Sequence, residues 1–156
     1  NIILLEQSPK ASKMHSINVF GAKLAIFASF IKFSLIGASG TLLNSGIFNL
    51  LIFSDFFHHH YLLANLIGFA VAASNNFYWN NRWTFKHQAN HKSFQKKYLQ
   101  FFIISSSVLL LNSLVMVIFV NHLGLNRRLA NLLAIAVCVV FNYAGNRLYT
   151  FKNRSD

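Results

Sequence analysis

The chain has 156 residues, 54% apolar and only 11% charged, with a formal net charge of +11 and a mean hydropathy of +0.44. A soluble domain of this length carries about 25% charged residues, so the composition argues against one. Seventeen Phe, one Pro and seven Gly suit a small bundle of membrane helices with few breaks.

The chain does not begin with Met, and Met14 stands as a candidate natural start. Residues 1–32 form an N-terminal segment that begins polar and basic and turns apolar at Val19. Lys23 interrupts the apolar run, and no small-residue cleavage site follows it, so it is neither a span nor a secretory signal. Val19 to Lys32 is predicted as a helix lying at the cytoplasmic interface and leading into the first span.

Four intervals without a charged residue follow, at 33–54, 56–81, 98–126 and 129–146. A spanning helix needs roughly 17–25 mainly apolar residues, and all four reach that length. A soluble four-helix bundle would need a polar stripe on every helix, and none of these intervals has one wide enough. The prediction is an all-α, four-span membrane protein.

Lys and Arg set its orientation. Lys10, Lys13, Lys23, Lys32, Arg82, Lys86, Lys92, Lys96, Lys97, Arg147, Lys152 and Arg154 fall on one side of the predicted membrane, and only Arg127 and Arg128 on the other. Basic residues in short flanks mark the cytoplasmic face, so both termini and the 82–97 loop are expected inside. Attraction to anionic headgroups accounts for the net charge without any nucleic-acid partner.

Two features that invite chemistry are weak. Cys138 is the single cysteine, without a partner or a CxxC spacing, and reads as a small apolar filler. His58, His59 and His60 are adjacent, so they point in different directions on a helix, and only Asp55 stands near them. No metal site and no cofactor is expected.

The chain repeats itself. Residues 63–86 (LANLIGFAVAASNNFYWNNRWTFK) align with 129–152 (LANLLAIAVCVVFNYAGNRLYTFK) at an offset of 66, with 11 of 24 positions identical, and LLNS recurs at 42–45 and 110–113 with an offset of 68. The expected architecture is two helical hairpins as parallel repeats, packed about an axis along the membrane normal with any substrate site between them.

The repeat carries amides. At about 100° per residue, Asn65, Asn76 and Asn80 fall within roughly 60° on one face of the second span. Asn131, Asn142 and Asn146 repeat them on the fourth. Amides in hydrocarbon are costly unless bonded, so the six should face the bundle interior or a wet cavity. Polar residues also tie membrane helices together, which would account for one or two of them. A duplicated stripe of three that leads to an arginine favours a ligand. Arg82 and Arg147 end the stripes at headgroup depth, one position out of register. Trp83 and Phe85, with Tyr149 and Phe151, stand where aromatic belts form. Amides can bond sugar hydroxyls, and a guanidinium can fork onto a phosphate.

The segments 33–53 (FSLIGASGTLLNSGIFNLLIF), 63–86 and 142–152 (NYAGNRLYTFK) resemble the GtrA-like family of small four-span membrane proteins. The most specific element maps onto Asn76, Phe77, Asn80, Arg82, Trp83 and Phe85. The resemblance covers about 120 residues and implies a domain at 33–152. It further implies the flipping of a polyprenyl-phosphate-linked monosaccharide across the cell membrane for cell-surface polysaccharide glycosylation. Asn65, Asn76, Asn80, Arg82, Trp83, Asn131, Asn142, Asn146 and Arg147 would then contact the lipid-linked sugar. The second repeat departs from the first: Ala144 and Gly145 replace Tyr78 and Trp79. The rival reading is a non-transporting scaffold that anchors or presents lipid to a partner glycosyltransferase. Four short helices enclose little volume, which leaves room for a homodimer. The only acids are Glu6, Asp55 and Asp156, and without carboxylates for metal or base work an enzyme is not expected.

Overall fold

A computed structural model describes residues 9–88 and 92–152, with side chains described from residue 20 onward. The first eight residues of the N-terminal segment, and Arg154 of the basic residues assigned to the cytoplasmic side, lie outside it. Helix α1 runs over Pro9–Ile52, α2 over Asp55–His59, α3 over Tyr61–Trp79, α4 over Phe94–Val117 and α5 over Arg127–Gly145. Wide five-residue turns of π-helix extend three of them: π1 (Asn80–Thr84) continues α3, π2 (Ile118–His122) continues α4 and π3 (Asn146–Thr150) continues α5. No strand occurs among the described residues.

Local sequence explains the ends. The single proline, Pro9, occupies the first helical position of α1, where a missing N–H costs nothing. The side chain of Ser93 accepts from Lys96 N to cap α4, and that of Asn126 accepts from Leu129 N to cap α5. Between π2 and α5 the chain turns at Gly124, whose φ of 65° is the left-handed conformation that glycine supplies at a helix C-terminus.

Helix α1 differs from expectation. The predicted interfacial helix Val19–Lys32 is not a separate element but a stretch within one 44-residue rod that begins at Pro9. At 1.5 Å per residue the rod is about 66 Å long, against roughly 30 Å of hydrocarbon. No Gly or Pro lies between Lys23 and Ile36, so nothing in the local chain breaks the helix at the charge. Among the described residues, three helices are long and apolar enough to cross a membrane: Phe20–Ile52, Phe94–His122 and Arg127–Thr150. The helix of the second uncharged interval, α3, is not among them, because Asn65, Ser74, Asn75 and Asn76 dilute its hydropathy.

Helix α1 packs chiefly on α3, and α4 chiefly on α5. The faces used are made of small residues: Ala64, Gly68 and Ala72 on α3, and Ala130, Ala134 and Cys138 on α5. Small side chains let helix backbones approach closely where hydrophobic exclusion supplies no drive. The leucines and isoleucines elsewhere on the helices are largely exposed, as a lipid-facing surface requires.

The two helix pairs meet in an aromatic core of Phe33, Phe77, Phe85, Phe101, Tyr143 and Phe151. Phe85 stacks on Phe151 at 4.4 Å between ring centroids. Phe33 meets Tyr143 edge-on at 5.6 Å, and Phe101 meets Phe77 edge-on at 5.6 Å. Phe30 meets Tyr143 at 5.3 Å and 82°, and Tyr98 meets Phe77 at 5.3 Å and 81°. Each second contact of these pairs joins the positions 66 or 68 residues away from the first. Such offset and edge-to-face pairs add about 0.5–1.5 kcal/mol each beyond burial, which concentrates cohesion at this end of the bundle.

Candidate functional site

The core end also carries the π turns, and their amides shape them. Asn80 Nδ2 donates to Asn76 O at 2.8 Å, and Thr84 Oγ1 donates to Asn80 Oδ1 at 2.8 Å. Asn146 Nδ2 donates to Asn142 O at 3.0 Å, and Thr150 Oγ1 donates to Asn146 Oδ1 at 3.0 Å. Both asparagines are fully buried. The wide turns close with Phe85 N donating to Asn80 O and Phe151 N to Asn146 O, each at 2.9 Å. Each clamp rotates the chain so that the residues after the amide face differently than α-helix geometry would place them.

In the first half this leaves a groove. Leu35, Ile36 and Ser39 of α1 and Trp79, Arg82 and Trp83 of α3 and π1 line a cavity of about 570 Å³. Its walls are largely apolar; the polar groups of its lining side chains are the Ser39 hydroxyl, which donates to Ile36 O at 2.8 Å, the two indole N–H groups and the Arg82 guanidinium. Arg82 makes no hydrogen bond or ion pair with any described residue. Lys32 Nζ lies 5.3 Å from the centroid of the Trp83 ring, a cation–π distance, so a second cation stands beside the wall of the groove that Arg82 lines.

The second half differs at the matching positions. Residues at the matching offsets are Ile103, Ile104, Ser107, Gly145, Leu148 and Tyr149. The Ile104 side chain lies 3.1 Å from where a Cβ at Gly145 would stand, so it takes the space that Trp79 borders in the first half. Arg147 is engaged instead: Nη1 donates to Tyr143 Oη at 3.2 Å and to Ser29 Oγ at 3.5 Å. Tyr143 Oη also donates to Ile26 O at 3.1 Å, and its hydroxyl pairs with that of Ser29. Arg147 thus ties α5 to α1. Arg147 is not among the residues that line the Arg82 groove.

The amide stripes divide in the same way. Asn142 Oδ1 accepts from Asn146 Nδ2 at 2.8 Å. Asn76 Oδ1 is buried with no hydrogen-bond partner among the described residues, and its carboxamide fills the space that a Cβ at Gly40 would need. Asn44 does the same toward Gly68, and its Oδ1 is likewise buried and unpartnered. Asn65 is exposed and lines a second cavity of about 340 Å³ with Asn44, Ser45, Asn49 and Tyr61. Asn131 is exposed on α5.

Sequence reasoning missed Gly40, Gly68, Asn44, Asn49, Ser39 and Trp79. Asn44 lies in the repeated LLNS and was visible only as a marker of the repeat. The loop after π1 is held to the other half by Lys92, whose Nζ donates to Gln100 Oε1 at 3.1 Å and to Tyr149 O. Partial burial, and then the nearby Lys96 charge, hold this ammonium below the usual lysine range. His59 Nδ1 bonds Asp55 O, and no group of three His, Cys, Asp or Glu that could hold a metal ion occurs among the described residues.

Residues 32–151 match the family described as GtrA/DPMS, transmembrane domain. The chain is 31% identical over 121 residues to a dolichol-phosphate mannosyltransferase of Pyrococcus furiosus, a stretch of 78% of this chain and 33% of that protein. It is 41% identical over 56 residues to the bactoprenol-linked glucose translocase of Salmonella phage P22, which is 36% of this chain and 45% of that one. The chain thus spans a third to under half of the length of these curated relatives. With most of its length matched, the chain is a membrane protein that belongs to the GtrA/DPMS transmembrane-domain family.

Proposed function

We propose that the protein moves a polyprenyl-phosphate-linked monosaccharide across the cytoplasmic membrane, with Arg82 holding the phosphate. The observation that carries this reading is the groove between α1 and π1: an apolar, indole-lined wall with one guanidinium that has no partner among the described residues. A guanidinium can meet a phosphate through two parallel hydrogen bonds. The prenyl chain would lie along Leu35, Ile36 and the tryptophans, and Lys32 beside Trp83 would add a second positive charge. Asn65 and Asn76 are the amides of the stripes that face the α1–α3 seam with a group free for sugar hydroxyls. Asn80 and Asn146 hold the π turns in place. The P22 relative, named a translocase of a bactoprenol-linked sugar, supports this in kind.

In this reading α3 with π1 is a fourth span. The α1–α3 and α4–α5 pairs are parallel repeats about an axis near the Phe85–Phe151 stack, a view supported by the matched ring geometries. Both termini and the 82–97 loop are cytoplasmic, which puts the groove at the inner headgroups. The activity is transport and not catalysis, since the four uncharged intervals hold no carboxylate.

One observation favours the scaffold reading. The P. furiosus relative is named a mannosyltransferase and matches over a third of its length, which fits a membrane segment working beside a transferase. Liposomes holding the purified protein alone, with a fluorescent short-chain polyprenyl phosphoryl glucose, separate the two. Transport predicts that the outer-leaflet fraction equilibrates with the inner one at a rate proportional to protein content. A rate no greater than in empty liposomes overturns it in favour of the scaffold.

A further inference from the structure

We infer that the α1–α3 seam carries a second, exit-side site for a neutral hexose, built from Asn44, Ser45, Asn49, Tyr61 and Asn65. This rests on the transport reading and adds to it a route and a sugar class.

Both cavities lie between the same two helices. Ser39 borders the Arg82 groove, and Asn49 borders the second cavity. On α1 the groove is lined from Leu35 to Ser39 and the second cavity from Asn44 to Asn49, so five residues, about 7.5 Å at 1.5 Å per residue, separate their near edges. The second cavity therefore sits toward the opposite end of the seam from the guanidinium. Its volume of about 340 Å³ falls at the low end of small-ligand pockets, about 300–1,000 Å³, and suits one monosaccharide better than a lipid. Three carboxamides, a serine hydroxyl and a tyrosine border it, and none of its lining residues is charged. Carboxamides offer both donors and acceptors, which matches hydroxyls that do both. With no cation in the lining, a uronate or a phosphate would be desolvated there without compensation. A neutral hexose would be matched.

The seam between the cavities is closed by two contacts, Asn76 against Gly40 and Asn44 against Gly68. Both carboxamide oxygens there are buried without a donor among the described residues. In the second half, the matching Asn142 oxygen is satisfied by Asn146, so orphaned acceptors are not a general feature of these helices. A sugar moving from the Arg82 groove to the outer cavity brings hydroxyl donors past both. Asn76 and then Asn44 accept from them, and the glycines let the amides swing without a Cβ in the way.

The test uses right-side-out and inside-out vesicles from cells making the protein, with water-soluble citronellyl phosphoryl glucose as probe. Ser45→Val and Asn49→Leu alter exposed positions, so folding should survive. Each should raise the half-saturating concentration from the outer face about tenfold, the loss of roughly one hydrogen bond, and leave that from the inner face unchanged. The glucuronate analogue should compete from the outer face more weakly than the glucose compound. If both variants match wild type from the outer face, or shift equally from both faces, the exit site is overturned and the transport reading stands. If wild type carries no probe from either face, the transport reading falls and the exit site falls with it.

Discussion

The carboxamide of Asn76 on α3 occupies the space that Gly40 of α1 leaves by lacking a Cβ. The contact holds the first helix pair close while leaving an acceptor, Asn76 Oδ1, buried and without a donor among the described residues. Gly40→Ala should drive the amide out and destabilise the bundle by about 1–3 kcal/mol, the usual cost of overpacking. Adding Asn76→Ala should restore most of the loss, because it vacates the same space. Thermal unfolding in detergent of the two single variants and the double variant measures this coupling, and additive losses would refute it.

Asn76→Leu nearly preserves the shape of the side chain and removes no hydrogen bond of that side chain seen in the fold. Stability should stay within about 0.5 kcal/mol of wild type, while transport in liposomes falls at least tenfold. Asn80→Leu should behave oppositely in stability. It breaks the bonds to Asn76 O and Thr84 Oγ1 and should cost about 1–3 kcal/mol by stranding buried groups. If Asn76→Leu melts as early as Asn80→Leu, its amide is helix glue and not a ligand contact.

Arg82→Lys keeps the charge and loses the two-pronged geometry, so affinity for a short-chain polyprenyl phosphate should fall by about 1.5–3 kcal/mol if a charged hydrogen bond goes. Arg82→Gln should fall further, and Lys86→Gln, an exposed neighbour, should change little. Arg147→Lys should leave this affinity alone and lower thermal stability, since Arg147 is bonded to Tyr143 and Ser29. Equal affinity losses in Arg82→Gln and Lys86→Gln would reduce Arg82 to a topology anchor.

Topology has a direct check. In a background with Cys138 replaced, His87→Cys should react with an impermeant thiol reagent only in inside-out vesicles, and Leu123→Cys only in right-side-out ones. Both positions are exposed. Reaction of the cysteine at 87 from the outside of intact cells would invert the proposed orientation.

Membrane character was legible from the charge map alone, because excluding charge from long helical intervals is what hydrocarbon demands. The repeat was equally legible, since Asn80 and Asn146, Thr84 and Thr150, and Phe85 and Phe151 stand at one constant offset. What the amides do was not legible. A stripe drawn at 100° per residue treats Asn65, Asn76 and Asn80 alike. In the fold, Asn80 is consumed by a π turn, Asn76 is pressed against a glycine, and Asn65 opens into a cavity. Those fates depend on a switch from i→i+4 to i→i+5 bonding and on which residue of α1 faces each amide.

The sequence by itself determined the composition of the bundle, its apolar lengths and the duplicated polar and aromatic positions, because those follow from periodicity and from the cost of placing charge in lipid. Only the tertiary structure decided that the two halves are unequal. Arg82 has no partner among the described residues and lines a groove with Trp79 and Trp83, while Arg147 is bonded and Ile104 takes up the space by Gly145. Partnership of this kind is set by distance between helices. Distance is set by where glycines let backbones approach, and glycine position gains that meaning only when the facing helix is in place.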